Sequence, residues 1–180
     1  MNEKLKADQN KRAKGAFERM MQSILMLMWG VLLCFVPKER DVAIYSFEQL
    51  EQRVLKSESD TLYVINFWAT WCKPCVEELP ELEAFNKEHE GSLVKTILVS
   101  LDFRSAYESK LLPFVEAKQL ESEVLLLDAK DYNSWIEKVH KKWEGAIPAT
   151  LIRNAKSGQS RFVDGTTTAI ELNQLIKQIQ

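Results

Sequence analysis

Cys72 and Cys75 are two of only three cysteines in a chain of 180 residues, and just two positions, Lys73 and Pro74, separate them. Thiols at that spacing can form a disulfide with each other, supply half of a tetrahedral zinc site, or pack as inert groups in a core. A structural zinc needs two more ligands. The third cysteine, Cys34, lies in an apolar N-terminal segment, and the only histidines, His89 and His140, show no paired spacing. An inert core pair would fall on an apolar stripe, whereas these cysteines follow a strand-like run and open a helix-like one. Redox chemistry is the reading that uses both features.

The strand-like run is Leu62–Trp68, apolar and β-rich, and the helix follows from Lys73. Cys72 therefore falls at a helix start, where free backbone N–H groups and the positive end of the helix dipole favour thiolate over thiol. Lys73 adds a cation. Such an environment lowers a cysteine pKa from about 8.5 to somewhere between about 3.5 and 7.5. Cys72 is thus the expected attacking sulfur. Cys75, one turn further in, is the expected resolver of a mixed disulfide. Pro74 stiffens the loop without removing a needed donor, since the first helical N–H groups lack intrahelical partners.

The remaining elements follow from periodicity. Ser46-x-x-Gln49 opens a helix bearing Phe47, Leu50, Val54 and Leu55. The helix from Lys73 to about His89 carries Val76, Leu79, Leu82 and Phe85 on one face, with a kink expected at Pro80. Leu93–Phe103 reads as a strand, Tyr107–Leu120 as a helix with Pro113 as an internal flaw, and Val124–Asp128 as a strand. Tyr132–Trp143 reads as a helix with Trp135, Ile136 and Val139 inward. Ala149–Arg153 and Ser160–Val163 read as an antiparallel strand pair. Thr168-x-x-Glu171 opens a closing helix with Leu172, Leu175, Ile176 and Ile179 as its stripe. Strands alternating with helices predict an α/β fold whose central sheet is mostly parallel and covered on both faces.

Charge is unevenly spread. Residues 1–36 carry six Lys/Arg against three Asp/Glu, while the whole chain has a net charge of −2. The mildly acidic body gives no electrostatic footprint for nucleic acid. The basic residues 1–19 precede an apolar stretch, residues 20–36, interrupted only by Gln22 and Ser23. No small-residue cleavage site follows it, and Leu33 is too bulky for a lipoprotein motif at Cys34. The segment is expected to be an uncleaved signal anchor of single-pass type, with Lys11, Arg12, Lys14 and Arg19 cytoplasmic, the alternatives being a cleaved signal peptide or a buried helix. The body, residues 41–180, is then expected outside the cytoplasm, where disulfide chemistry persists.

Phe67-Trp68-Ala69-Thr70-Trp71-Cys72-Lys73-Pro74-Cys75, with Pro80 five residues beyond the second cysteine, resembles the active-site segment of the thioredoxin superfamily. It is most similar to the membrane-tethered bacterial TlpA/ResA-like thiol–disulfide oxidoreductases. Gly145-Ala146-Ile147-Pro148-Ala149-Thr150 resembles the family's cis-proline loop. The resemblance covers about residues 41–180 and implies a three-layer fold with a mixed sheet and a βα insert, here residues 107–128. It implies a cis Ile147–Pro148 bond with Pro148 beside Cys72. Asn66 occupies the strand position where simpler thioredoxins carry an acid, and Glu78 matches the helix glutamate of some ResA-like members. Glu78 is the expected proton relay for Cys75, the alternative being a solvated first-turn carboxylate; Glu77 is expected in solvent. Trp71, Lys73, Pro74 and Ile147 would form the platform for a partner's cysteine loop, with Trp68, Trp135 and Trp143 in the core.

By that resemblance the protein would be a reductant of extracytoplasmic protein disulfides, as in cytochrome c biogenesis, needing no cofactor and drawing electrons from a membrane donor. Two alternatives differ in class. A thiol peroxidase would use Thr70 and Arg104 around its cysteine, although the vicinal pair argues against it. A non-enzymatic copper-handling or assembly module would use the cysteines as soft ligands with His140.

Overall fold

The computed structural model describes residues 14, 15, 17–22, 42–129 and 131–179. The chain divides into two units, residues 1–39 and 40–180. Of the first, the described residues 17–22 are helical. Residues 23–36 of the expected anchor, and most of the basic segment before it, lie outside the described residues. No helix among the described residues is long and apolar enough to cross a membrane.

The second unit is built on a six-stranded sheet of order β1-β4-β3-β2-β5-β6. The strands are β1 (Ala43–Tyr45), β2 (Leu62–Trp68), β3 (Val94–Ser100), β4 (Glu123–Leu127), β5 (Ala149–Asn154) and β6 (Ser160–Asp164). β1, β4, β3 and β2 run parallel, while β5 is antiparallel to β2 and to β6. β2 lies between β3 and β5 and is buried on both faces, which is why it reads as an unbroken apolar run.

The side-chain alternation of β2 divides two cores. Leu62, Val64 and Trp68 join one with Leu79, Leu82 and Phe85 of α2 (Lys73–Glu88), Val115 of α3 (Leu112–Lys118), and Leu172 and Ile176 of α5 (Ala169–Ile176). Ile65 and Phe67 join the other with Phe47 and Leu50 of α1 (Phe47–Leu50), Trp135, Val139 of α4 (Ile136–Val139), and Trp143. The sheet is therefore the middle of three layers. Asn66 shares the period of Val64 and Trp68, so it faces α2 from within the first core.

Several boundaries differ from expectation. β1 is too short to leave a periodic signature, yet it pairs with β4 from Ala43↔Leu125 to Tyr45↔Leu127. The segment expected as one helix over Tyr132–Trp143 is instead a 3₁₀ turn at Tyr132–Ser134 and the single turn α4. His140 is extended there (φ −159°, ψ 131°). Trp135, Val139 and Trp143 are all core residues, so burial produced the helical spacing without a continuous helix. Tyr107–Leu111 is a wider π turn leading into α3, and Pro113 sits in the first turn of α3, where its missing N–H removes no helical bond. The strand expected over Leu93–Phe103 is shorter, because the chain leaves the sheet after Ser100. Both expected capping boxes are present, Ser46 with Gln49 and Thr168 with Glu171.

Candidate active site

β2 ends at Trp68, and Ala69–Trp71 turns the chain into α2. Cys72 is the N-cap of that helix, in extended conformation (φ −87°, ψ 99°). Its Sγ accepts the Cys75 N–H at 3.3 Å, so the sulfur takes the capping place usually held by an oxygen. Cys72 and Cys75 form a disulfide. Cys72 retains 6% exposure against 1% for Cys75, so the first sulfur is the one solvent can reach. Both are less open than a loop cysteine, because the chain folds back over them at Ile147, whose carbonyl oxygen is 3.7 Å from the Cys72 Sγ. The Ile147–Pro148 peptide is cis, as the resemblance implies.

The approach to β5 is held from beneath. The buried Trp143 donates its indole N–H to the Ala146 carbonyl at 2.7 Å. Gly145 has φ +89°, and a Cβ there would meet Ile136 Cδ1 at 2.8 Å. The left-handed backbone is what calls for glycine at that position, since the close contact is with the movable tip of Ile136.

Glu78 is buried at 4% exposure, not solvated. Its Oε1 accepts the Thr167 N–H at 2.7 Å, and its Oε2 accepts from Asn66 Nδ2 at 3.3 Å. The same Asn66 nitrogen lies 3.0 Å from Thr150 Oγ1. Burial pushes the Glu78 carboxyl up to about 7, against the opposing pull of the Thr167 and Asn66 hydrogen bonds. Asn66 Oδ1, also buried, has no partner among the described residues. Glu77 is in solvent, 3.7 Å from the Lys73 ammonium. Trp71 is exposed at 62%, whereas Trp68, Trp135 and Trp143 are buried.

One group has no counterpart in the sequence-based expectations. The carboxylate of Asp102, just past β3, accepts the Thr70 N–H at 3.0 Å and the Thr70 hydroxyl at 2.6 Å. It fixes the loop that delivers Cys72. A lone acid after an apolar strand carries no periodic signal, and only the sheet register brings it to Thr70. The same contact bears on the peroxidase alternative, because the Thr70 hydroxyl is taken up by Asp102 and the exposed Arg104 lies over the Tyr107 ring at 5.2 Å. His140 stacks on Phe162 at 4.5 Å between ring centres, and its Nδ1 accepts the Lys142 N–H at 3.4 Å. Among the described residues no group of three or more His, Cys, Asp or Glu is placed to hold a metal ion.

A sheet of this order, with a Cys-x-x-Cys disulfide capping the helix after its central strand and a cis-proline facing it, defines a thioredoxin-fold protein. A sequence model of the AhpC/TSA family matches residues 45–157, and the chain belongs to that family. Among curated relatives, it is 30% identical over 126 residues to the thioredoxin-like protein YneN of Bacillus subtilis, covering 69% of this chain and 68% of that one. It is 27% identical over 111 residues to sporulation thiol-disulfide oxidoreductase A of Bacillus subtilis, covering 62% and 64%. With the thiol-disulfide oxidoreductase ResA of Oceanobacillus iheyensis it shares 28% over 116 residues, covering 64% and 56%. The chain thus spans less than two thirds of the length of these last two relatives. Among solved structures, a thioredoxin-related protein of Neisseria meningitidis superposes with a TM-score of 0.58 at 20% identity, over 70% of this chain and 87% of that one. StoA of Bacillus subtilis superposes at 0.50 with 24% identity, over 66% and 84%. At these identities the superpositions bear on the fold.

Proposed function

We propose that the protein is a thiol–disulfide oxidoreductase that reduces protein disulfides outside the cytoplasm through Cys72 and Cys75. The observation that carries this reading is the Cys72–Cys75 disulfide at the start of α2, closed over by the Ile147 carbonyl. The names of the sporulation oxidoreductase and ResA relatives support the reaction class.

In the dithiol form, the Cys72 thiolate attacks a sulfur of the substrate disulfide. An S–S bond forms between Cys72 and the substrate, the substrate's own S–S bond breaks, and its second sulfur leaves as a thiolate that takes up a proton. The Cys75 thiol then gives its proton to Glu78, and its thiolate attacks Cys72 Sγ. The mixed disulfide breaks, the Cys72–Cys75 disulfide forms, and the substrate's remaining sulfur leaves as a thiolate that takes up the proton held by Glu78. Two electrons have moved from the pair to the substrate. Glu78 suits the proton step because its acidity is close to neutral and it lies one turn beyond Cys75 on α2. Pro148 and Ile147 form one wall of the substrate cleft, and Trp71, Lys73 and Pro74 form the other.

The basic segment 1–19 and apolar segment 20–36 support a signal anchor in the cytoplasmic membrane, with the thioredoxin-like domain of residues 41–180 on the periplasmic or outer side. There a membrane electron donor would restore the dithiol, and cytochrome c biogenesis is one process that consumes such a reductant.

The test is the reduction potential of the purified protein, with insulin-disulfide reduction as the activity. A potential near the roughly −270 mV of thioredoxin supports a reductant, and one near about −120 mV assigns the opposite direction. Peroxide consumption retained by Cys75→Ser would move the assignment to a thiol peroxidase.

A further inference from the structure

Asp102 is 4% exposed and faces the loop that carries Cys72. Its Oδ2 accepts from the Thr70 N–H at 3.0 Å and from the Ser100 hydroxyl at 2.8 Å, and its Oδ1 accepts from the Thr70 hydroxyl at 2.6 Å. Its own N–H donates to Ser100 Oγ at 3.1 Å. Every donor is neutral. Among the described residues no lysine, arginine or histidine is within ion-pair distance of it. A buried carboxylate without a counter-ion is costly, and the three donors offset that cost without cancelling its charge.

Thr70 is two residues before Cys72, in the turn that the Cys72 N–H closes on the Ala69 carbonyl at 3.1 Å. Two residues span at most about 7 Å between Cα atoms, so the buried charge is anchored to the same short turn as the sulfur. The other charges around Cys72 do not offset it. Lys73 projects into solvent toward Glu77, Arg104 lies over Tyr107, and Glu78 is a second acid.

We propose that Asp102 is a fixed negative charge that biases the Cys72–Cys75 pair toward the disulfide, making the dithiol a stronger reductant, while its bonds to Thr70 position the redox loop. The proposal rests on the redox reading above. When an external dithiol reduces the pair, the Cys72–Cys75 S–S bond breaks, both sulfurs gain the two electrons, and the donor closes its own S–S bond. Of the donor's two protons one goes to Cys75 and the other to solvent, leaving Cys72 as thiolate. The disulfide is neutral and the Cys72 thiolate is not, so a nearby fixed anion disfavours only the reduced form. That differential is what shifts an equilibrium.

Asp102→Asn separates charge from positioning. An asparagine with its oxygen at the Oδ2 place still accepts from Thr70 and Ser100, and its amide nitrogen donates to Thr70 Oγ1. The full chain would be equilibrated with mixtures of oxidised and reduced dithiothreitol, and the dithiol fraction counted by alkylation. The Asn variant is expected to favour the dithiol about tenfold more, which is a rise of about 30 mV. Thr70→Val keeps the charge and removes the shorter screening hydroxyl, so its potential is expected to fall, opposite in sign to the Asn variant, while the fold weakens. Ser100→Ala removes a screening donor and keeps the charge, so its potential is expected to fall, and it carries the test if the Asn variant does not fold. An unmoved potential in the Asn variant, or in Ser100→Ala when that arm carries the test, overturns the proposal. If the wild type shows no reversible dithiol–disulfide equilibrium, the redox reading fails and this proposal with it.

Discussion

The carboxylate of Glu78 takes the backbone N–H of Thr167 at 2.7 Å, a bond across 89 residues that ties the redox helix to the loop before α5. That bond is made where water is excluded, and burial outweighs it in setting the acid's proton affinity. Glu78 therefore titrates near neutrality, where a proton acceptor for Cys75 is useful.

The first prediction is a pH dependence of stability. The Glu78 carboxyl is raised from 4.5 to about 7 in the folded protein. Well below pH 4.5 it is protonated in both states and contributes no slope. As pH rises from there to about 7, the unfolded chain releases the proton while the folded one keeps it, so folding loses stability, and above that pH the loss is complete. After discounting for solvent screening, the loss is on the order of 1–2 kcal/mol. Glu78→Gln removes it, since a Gln oxygen can accept from Thr167 and its amide can donate to the unpartnered Asn66 Oδ1 once that side chain turns over. Urea midpoints at pH 5 and pH 8.5 should differ less in the variant than in the wild type.

The same variant should lose the proton step. Disulfide transfer in Glu78→Gln is expected to slow by about 10²-fold near neutral pH, the low end for a general acid–base group. The wild-type inflection near pH 7 should be absent from its rate profile. A profile identical to wild type would leave Glu78 as a structural tie only.

The two cysteines should behave unequally. Cys75→Ser is expected to accumulate a mixed disulfide with protein substrates, because no resolving sulfur remains, and Cys72→Ser should form none. Either change should lower multiple-turnover activity by at least about 10³-fold, as when one member of a catalytic unit is removed. Non-reducing gels of both variants with an oxidised protein substrate check the asymmetry.

How far these features were legible from sequence depended on the range of the forces that shape them. β2 and α2 were readable because a doubly buried strand is uniformly apolar, and a helix packed on it repeats at Leu79, Leu82 and Phe85. Cys72 at the N-cap followed from their junction. The burial of Glu78 was not readable, since it depends on Thr167, brought alongside only when α5 packs on α2. Asp102 was missed for the same reason. The segment around Trp135 misled because three core residues spaced by four satisfied a helical template, although the extended His140 interrupts the backbone. β1 was invisible because three residues have no measurable period.

Gly145→Ala should destabilise the loop before the cis-proline. The position has φ +89°, and the new methyl would press on Ile136 Cδ1 at 2.8 Å. The expected cost is about 1–3 kcal/mol in thermal or urea unfolding. Ile136→Val in the same chain relieves the contact but not the backbone strain, so it should restore only part of the loss.

Trp143 and Trp135 give a sharper comparison, because the two indoles share one aromatic cluster, 5.6 Å apart, but only one has an N–H partner. Trp143 donates to the Ala146 carbonyl at 2.7 Å, while the buried Trp135 Nε1 has no partner among the described residues. Replacing either by Phe leaves an aromatic ring and a similar small void, so their packing losses should be alike. Only Trp143→Phe frees the carbonyl next to Ile147, whose own oxygen lies against Cys72. Beyond its packing loss, it should cost about 1 kcal/mol for the hydrogen bond. Its KM for a protein disulfide should rise several-fold, while the alkylation rate of reduced Cys72 by iodoacetamide stays near wild type, since the sulfur itself is untouched. Trp135→Phe should leave both kinetic quantities unchanged. Equal KM effects from the two substitutions would mean that the cluster acts on the loop through packing alone and that the Trp143–Ala146 bond has no separate role.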